Sequence, residues 1–304
     1  MSILYLILGF LLLIWGADRF VSGATALAQK WGVSNLIIGL TVVAFGTSAP
    51  ELAVSVSASL AGANEIALGN VLGSNLFNLL VVAGLSAIMA PLVVDKTLLC
   101  RDWVASLLAT LALLGLIIDG RISRGDATVL LLGFVTIMAL QIRNAKTSHQ
   151  EDTPPCSTSN RTIAQNIVSG LSAIVIGGQL SVHGATELAR QFGVSETVIG
   201  LTIVAIGTSL PELVTSLVAT KRGETGIAIG NVIGSNLFNV LFILGLSCFI
   251  TPMTVAVTAV YDTAILLVVT TGMLMLAKQR KLNRLCGCTL ALLYVGYTLW
   301  LLVR

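Results

Sequence analysis

Residues 41–51 read Thr-Val-Val-Ala-Phe-Gly-Thr-Ser-Ala-Pro-Glu, and residues 202–212 read Thr-Ile-Val-Ala-Ile-Gly-Thr-Ser-Leu-Pro-Glu. A second stretch, Gly-Asn-Val-Leu-Gly-Ser-Asn-Leu-Phe-Asn at 69–78, returns at 230–239 with one Leu changed to Ile. Both motifs recur at an offset of 161 residues, within a gapless alignment of 31–91 on 192–252. In both motifs the apolar positions vary and the polar positions are identical, so the chain contains two copies of one unit.

The composition is that of an integral membrane protein. Hydrophobic residues make up 56% and charged residues 10% of the 304 residues, and the mean hydropathy is +0.95. About 25% of the residues in a soluble chain are charged. The net charge of +3 is small and spread along the loops, so nucleic acid is not an expected partner.

The hydropathy pattern predicts an all-α polytopic membrane protein with ten transmembrane helices. A helix needs about 20 apolar residues to cross a bilayer. The qualifying segments are 3–29, 36–60, 65–90, 101–119, 126–143, 163–190, 197–220, 226–250, 257–277 and 284–302. The longest hydrophilic stretch, which contains Pro154 and Pro155, separates two groups of five. We therefore predict a first five-helix repeat over 1–143, with motifs at 39–78, a linker over 144–162, and a second five-helix repeat over 163–304, with motifs at 200–239.

The odd number of helices in each half has a consequence for orientation. Two equivalent halves of five helices must be inverted relative to one another in the membrane. If the amino terminus is outside, twelve loop Lys and Arg residues lie inside and four lie outside. Cytoplasmic loops are enriched in Lys and Arg. We therefore predict a multi-pass protein of the cell (inner) membrane with both termini outside and the 143–161 linker in the cytoplasm.

The first motif predicts a helix that is broken near the membrane midplane beside an acid. Pro50 has no N–H and its ring clashes with the carbonyl of Gly46, so the helix must kink and release carbonyls around Ala44. Glu51 lies four residues after Thr47, on the same helix face. Free carbonyls and an acid at this depth indicate a functional site. The second copy repeats the arrangement with Ala205, Thr208, Pro211 and Glu212.

The second motif predicts further oxygen ligands. Ser74 and Asn78 are four residues apart and share a helix face. The second copy repeats this pair with Ser235 and Asn239. For Asn75 and Asn236 two interpretations stay open, a ligand or a contact between helices. A set made only of oxygen donors suits Ca²⁺, Na⁺ or Mg²⁺, and not Zn²⁺ or Cu⁺.

The charge of this donor set favours cation exchange. One divalent ion or two monovalent ions or protons neutralise two glutamates, so either cargo stabilises a site that is costly when empty. We predict an antiporter, and a Ca²⁺/H⁺ antiporter of the same fold remains an alternative to Na⁺ coupling. A channel fits a charge-balanced, occludable site less well. An intramembrane serine hydrolase would need a base beside its serine, and His183 lies outside the repeated motifs.

Gly-Thr-Ser-x-Pro-Glu followed by Gly-Asn-x-x-Gly-Ser-Asn-x-Phe-Asn, each present twice, resembles the α-repeats of the sodium/calcium exchanger (calcium/cation antiporter) superfamily in its minimal prokaryotic form. The resemblance covers essentially the whole chain. It implies that spans 2, 3, 7 and 8 surround the ions, and that long, tilted spans 1 and 6 slide against this core. It implies a Na⁺/Ca²⁺ antiporter that is not an enzyme and has no cofactor. Its partners would be the two ions and the lipid bilayer, and a monomer is consistent with this.

The resemblance also implies which residues bind the ions. Glu51 and Glu212 would be central ligands shared by Ca²⁺ and Na⁺. The remaining ligands would be the Thr47 and Thr208 side chains, the Ala44 and Ala205 carbonyls, the Ser48, Ser209, Ser74 and Ser235 hydroxyls, and the Asn78 and Asn239 amides. Several family members carry Asp at one or both of the last two positions, whereas both are Asn here. The site then holds two acids, which leaves the stoichiometry and the coupling ion (Na⁺, Li⁺ or H⁺) open.

Overall fold

The helices begin and end within a few residues of the predicted boundaries. The computed structural model describes residues 1–147, 158–193 and 205–303. The helices are α1 (Ser2–Trp31), α2 (Asn35–Thr47), α3 (Ala49–Leu60), α4 (Glu65–Met89), α5 (Leu98–Ile117), α6 (Arg124–Thr147), α7 (Asn160–Gln191), α8 (Ala205–Thr208), α9 (Leu210–Lys221), α10 (Thr225–Ile250), α11 (Val257–Ala277) and α12 (Arg284–Val303). Residues 197–204, the first part of the predicted seventh span, lie outside the described residues.

The chain is an all-α polytopic membrane protein. Eight of the described helices are long and apolar enough to cross a membrane, and α2 and α3 together meet the same criterion as a pair that is bent by 47°. Pro50 lies in the first turn of α3, so the kink predicted there is confirmed. The helices α6 and α7 extend into both ends of the predicted linker.

The two helices that carry the second motif form the centre of the bundle. In the most apolar window of both α4 and α10, 78% of the residues are buried, against 39% or less in the other straight spans. Helix α10 packs on α2 and α9, and α4 packs on α3, so both broken spans lie against this centre. Each central helix contains a π-helical turn, at Asn78–Val82 and at Phe238–Ile243. Such turns are frequent at functional sites.

Among the described helices, α1 and α7 make the most extensive contact between any two. Glycine recurs every seven residues in both, at 9, 16 and 23 and at 170, 177 and 184. A methyl group added to Gly16 would lie 2.7 Å from the carbonyl oxygen of Gly170, and one added to Gly177 would lie 2.7 Å from that of Gly9. Because Gly9 meets Gly177 and Gly23 meets Ile167, the two helices run antiparallel with their main chains in contact.

Two short antiparallel ribbons join the halves at the helix ends. Strand β1 (Leu92–Val93) pairs with β4 (Lys281–Leu282), and β2 (Arg121–Ile122) pairs with β3 (Met253–Thr254). Each ribbon takes one strand from each half. The sequence did not predict them, because two residues are too few to show the alternation of a strand.

Candidate cation site

Two buried glutamates from different halves lie at the centre of the candidate site. Glu51 is in the first turn of α3, Glu212 is in the first turn of α9, and neither side chain is exposed. The hydroxyl of Ser209 donates to Oε1 of Glu51 at 3.0 Å, and the hydroxyl of Ser48 donates to Oε1 of Glu212 at 2.8 Å. Each carboxylate is therefore held by a serine of the other half, so the two copies of the first motif build a single site.

A second layer of hydrogen bonds links the broken helices to the central ones. Asn70 of α4 donates through Nδ2 to the carbonyl oxygen of Glu51 at 3.2 Å and to Oγ of Ser55 at 2.9 Å. Its Oδ1 accepts from Thr208 Oγ1 at 3.3 Å. The second copy repeats this, as Asn231 donates to the Glu212 carbonyl at 3.4 Å and to Ser216 Oγ at 3.0 Å, and accepts from Thr47 Oγ1 at 3.0 Å.

Four residues of this second layer were not among the ligands predicted from the sequence. Asn70 and Asn231 lie inside the second motif, and Ser55 and Ser216 lie one turn beyond the glutamates. All four are identical at the offset that reveals the repeat. Identity at that offset was therefore the signal that could have found them.

The two serines of the second motif differ in their contacts. Ser74 Oγ donates to Oε1 of Glu51 at 3.5 Å, whereas Ser235 Oγ donates to Oδ1 of Asn231 at 3.5 Å. Ser235 also hydrogen bonds with the side chain of Glu212, so each of the two hydroxyls lies beside a carboxylate.

The carbonyl of Ala44, which the break at Pro50 predicts to be free, is hydrogen bonded. It accepts the N–H of Ser48 at 3.1 Å and the hydroxyl of Thr47 at 3.4 Å. The physical reason is that the N–H four residues after Ala44 belongs to Ser48, whereas Pro50 removes only the donor that would reach Gly46. In the second copy, the N–H of Ser209 donates to the carbonyl of Ile206 at 3.1 Å, one residue beyond Ala205.

Asn75 and Asn236, whose role the sequence left open, contact each other across the two halves. Nδ2 of Asn75 donates to the main-chain oxygen of Asn236 at 3.3 Å, and Nδ2 of Asn236 donates to that of Asn75 at 3.2 Å. The described structure thus supports the interpretation that they join the central helices.

Four buried oxygens of this site have no hydrogen-bond partner among the described residues. They are Oε2 of Glu51, Oε2 of Glu212, Oδ1 of Asn78 and Oδ1 of Asn239. None of these four side chains is exposed. An unsatisfied buried acceptor costs roughly 1–3 kcal/mol, and more when it is charged. Carboxylate and amide oxygens are donors that hard cations prefer, so the donor set fits a hard cation.

A comparison with known proteins finds a match that includes the site residues described above. Residues 1–143 and 164–303 match the family described as sodium/calcium exchanger protein. The chain belongs to this family. The match includes both copies of both motifs and leaves out only the 144–163 stretch and the last residue. Members of this family are cation/Ca²⁺ antiporters, so the chain is a multi-pass membrane antiporter.

Individual exchangers and related proteins are similar over about four fifths of their length or more. The sodium/calcium exchanger MaX1 of Methanosarcina acetivorans is 32% identical, over 97% of each chain. The inner membrane protein YrbG of Escherichia coli is 38% identical, over 81% of this chain and 79% of its own. The structure of the sodium-calcium exchanger NCX_Mj soaked with zero Na⁺ and Ca²⁺ has a TM-score of 0.88 at 34% identity, covering 99% of this chain and 98% of its own.

Proposed function

We propose that the protein exchanges Na⁺ for Ca²⁺ across the membrane by alternating access. The observation that carries this proposal is the reciprocal pair of hydrogen bonds, from Ser209 to Glu51 and from Ser48 to Glu212, beside four buried oxygens without a partner among the described residues. Carboxylate, amide and hydroxyl oxygens are the ligands of hard cations. Membership of the sodium/calcium exchanger family supports the same cargo.

The charge of the site explains why the two cargoes would be exchanged. Two ionised glutamates in a fully buried site carry a charge of about −2, which is costly in a low dielectric. One Ca²⁺ neutralises that charge, and so do two Na⁺. The loaded site can therefore pass through an occluded state with either cargo. The uncompensated charge of the empty site disfavours the same state. Tight exchange without leak follows from this difference.

We assign the ligand roles as follows. Glu51 and Glu212 are the central ligands that both ions share. The surrounding ligands are Thr47, Thr208, Ser48, Ser209, Ser74, Ser235, Asn78, Asn239 and the main-chain oxygens of Ala44 and Ala205. This assignment is supported by the hydrogen bonds that already join most of these side chains to the two carboxylates or to their neighbours.

The neutral donors favour Na⁺ over H⁺ as the coupling ion. A proton needs only one carboxylate oxygen, and the buried amide oxygens of Asn78 and Asn239 would have no part in carrying it. A Na⁺ ion needs several oxygens at once, which this site offers around each glutamate. A Ca²⁺/H⁺ antiporter remains the second candidate, because the two glutamates alone suffice to carry protons.

We propose ten spans arranged as two inverted halves. The described helices α8 and α9 belong to the seventh predicted span, which with the eight straight spans and the bent one makes ten. The equivalent helices α1 and α7 run antiparallel, which supports inversion. The distribution of Lys and Arg supports a cell-membrane orientation with both termini outside and the 143–161 linker in the cytoplasm.

Radiolabelled Ca²⁺ uptake into proteoliposomes tests the proposal. Vesicles loaded with Na⁺ and diluted into Na⁺-free buffer should accumulate Ca²⁺, and protein-free vesicles should not. Uptake that follows an imposed pH gradient and ignores Na⁺ would transfer the assignment to Ca²⁺/H⁺ exchange. Absence of uptake under both gradients, in vesicles that hold folded protein, would contradict the proposal.

A further inference from the structure

Four buried asparagines form a closed hydrogen-bond network between the central helices. The Nδ2 groups of Asn75 and Asn236 donate to each other's main-chain oxygens. The side-chain oxygens of the same two residues accept from the other pair: Nδ2 of Asn239 donates to Oδ1 of Asn75 at 3.0 Å, and Nδ2 of Asn78 donates to Oδ1 of Asn236 at 3.2 Å. All four side chains are 2% exposed or less.

The main-chain carbonyls fix the orientation of every amide in this network. A carbonyl oxygen can only accept, so the group of Asn75 that faces the carbonyl of Asn236 must be its NH₂. The oxygen of Asn75 then faces Asn239, which must in turn present its own NH₂. The same reasoning, started from the carbonyl of Asn75, fixes Asn236 and then Asn78.

The result is that the two remaining amide oxygens point away from the network. Oδ1 of Asn78 and Oδ1 of Asn239 are buried and have no hydrogen-bond partner among the described residues. A reversed amide would expose an NH₂ group, whose hydrogens repel a cation. The orientation therefore decides whether these two positions attract or repel the cargo.

We infer that Asn75 and Asn236 are positioning residues, which hold the amides of Asn239 and Asn78 with their oxygens toward the transported cation. This inference rests on the proposed function, because it assumes a cation at the site between the glutamates. It assigns a role in ion binding to two side chains that need not touch the ion. It also makes the two halves interdependent, since each positioning residue orients a ligand of the other half.

A double-mutant cycle on the full-length purified protein tests the inference, with Ca²⁺ as the probe and equilibrium binding as the measurement. We expect Asn75→Ala to weaken Ca²⁺ binding about tenfold, but less than about twofold in an Asn239→Ala background, since contacting residues are not additive. In the matched Asn78→Ala background, Asn75→Ala should keep its full effect. The mirrored prediction is that Asn236→Ala depends on Asn78 and not on Asn239.

The outcomes separate a positioning role from a structural one. An equal loss in both backgrounds, or an unchanged affinity in Asn75→Ala, would overturn the inference. If Asn75→Ala does not fold, Asn75→Leu keeps the volume, lacks the hydrogen-bonding groups and carries the same expectation. Failure of the unsubstituted protein to bind Ca²⁺ would instead contradict the proposed function, and the inference would fall with it.

Discussion

Each glutamate of the site depends on a hydroxyl from the other half, and this dependence can be tested residue by residue. We expect Glu51→Gln and Glu212→Gln each to reduce Na⁺-driven Ca²⁺ uptake to the level of protein-free vesicles. An amide removes the charge that the cargo neutralises, and it presents an NH₂ group to the cation. The control is Glu65→Gln at the exposed start of α4, which should transport normally. Near-normal uptake in either site variant would contradict the central role of that glutamate.

Ser48 and Ser209, which bond the two carboxylates, should behave as equivalents although they lie far apart in the sequence. Ser48→Ala and Ser209→Ala each delete one hydrogen bond to a carboxylate, and bonds to charged groups contribute about 1.5–3 kcal/mol. We expect the Ca²⁺ concentration for half-maximal uptake to rise about tenfold or more in both. Ser57→Ala, on the exposed side of α3, is the control. Unchanged Ca²⁺ dependence in both site variants would show that neither hydroxyl supports the ligands.

At the scale of single residues, the sequence predicts which residues belong to the site better than it predicts which atoms they contact. Repetition marked the candidate ligands, and the structure joins Glu51 and Glu212 to their serines by hydrogen bonds. It could not predict that each of these serines bonds the glutamate of the other half. These bonds cross between the two copies, and the repetition of a motif does not encode which copy a side chain faces.

At the scale of the elements, hydropathy predicted the helices because a span must satisfy its own backbone inside the bilayer. The bend between α2 and α3 was also predictable, since Pro50 cannot continue a helix. The π-helical turn at Asn78–Val82 was not. Its residues suit an α-helix equally well, and the wider turn arises where α4 packs against other helices.

The glycines of α1 and α7 give a prediction about packing. We expect Gly16→Ala to lower the thermal unfolding midpoint of the detergent-solubilised protein by several degrees, since overpacking costs about 1–3 kcal/mol. The reason is that the added methyl group would overlap the main chain of α7. In the control Gly115→Ala, on an exposed part of α5, no atom of the described residues lies within 4 Å of the new methyl. Equal midpoints for the two variants would contradict close main-chain contact.

For the molecule as a whole, reciprocity between the halves is the dominant feature. Motif contacts and ribbons each pair an element of one half with an element of the other. The repeat in the sequence predicts two equivalent halves, and the odd number of predicted helices in each half predicts that they are inverted. The register of the strands in the two ribbons could not be predicted, because it depends on where four helix ends meet.

The predicted orientation can be tested on intact cells. With Cys156 replaced by Ser, a cysteine introduced by Ser148→Cys should stay unlabelled by an impermeant thiol reagent added outside, because the positive-inside distribution places the linker in the cytoplasm. The same position should react once the membrane is permeabilised. Labelling before permeabilisation would reverse the orientation of every span.

The seven-residue glycine spacing also limits how α1 and α7 can move. With a rise of about 1.5 Å per residue, the two helices would have to slide about 10 Å before glycines faced each other again. Any smaller slip would push a side chain into the opposing main chain. We therefore expect α1 and α7 to move as one rigid unit, so that a force that displaces one end of the pair also displaces its other end. Under the alternating access proposed above, a displacement of α1 and α7 as one unit would open the site to one side of the membrane and close it to the other.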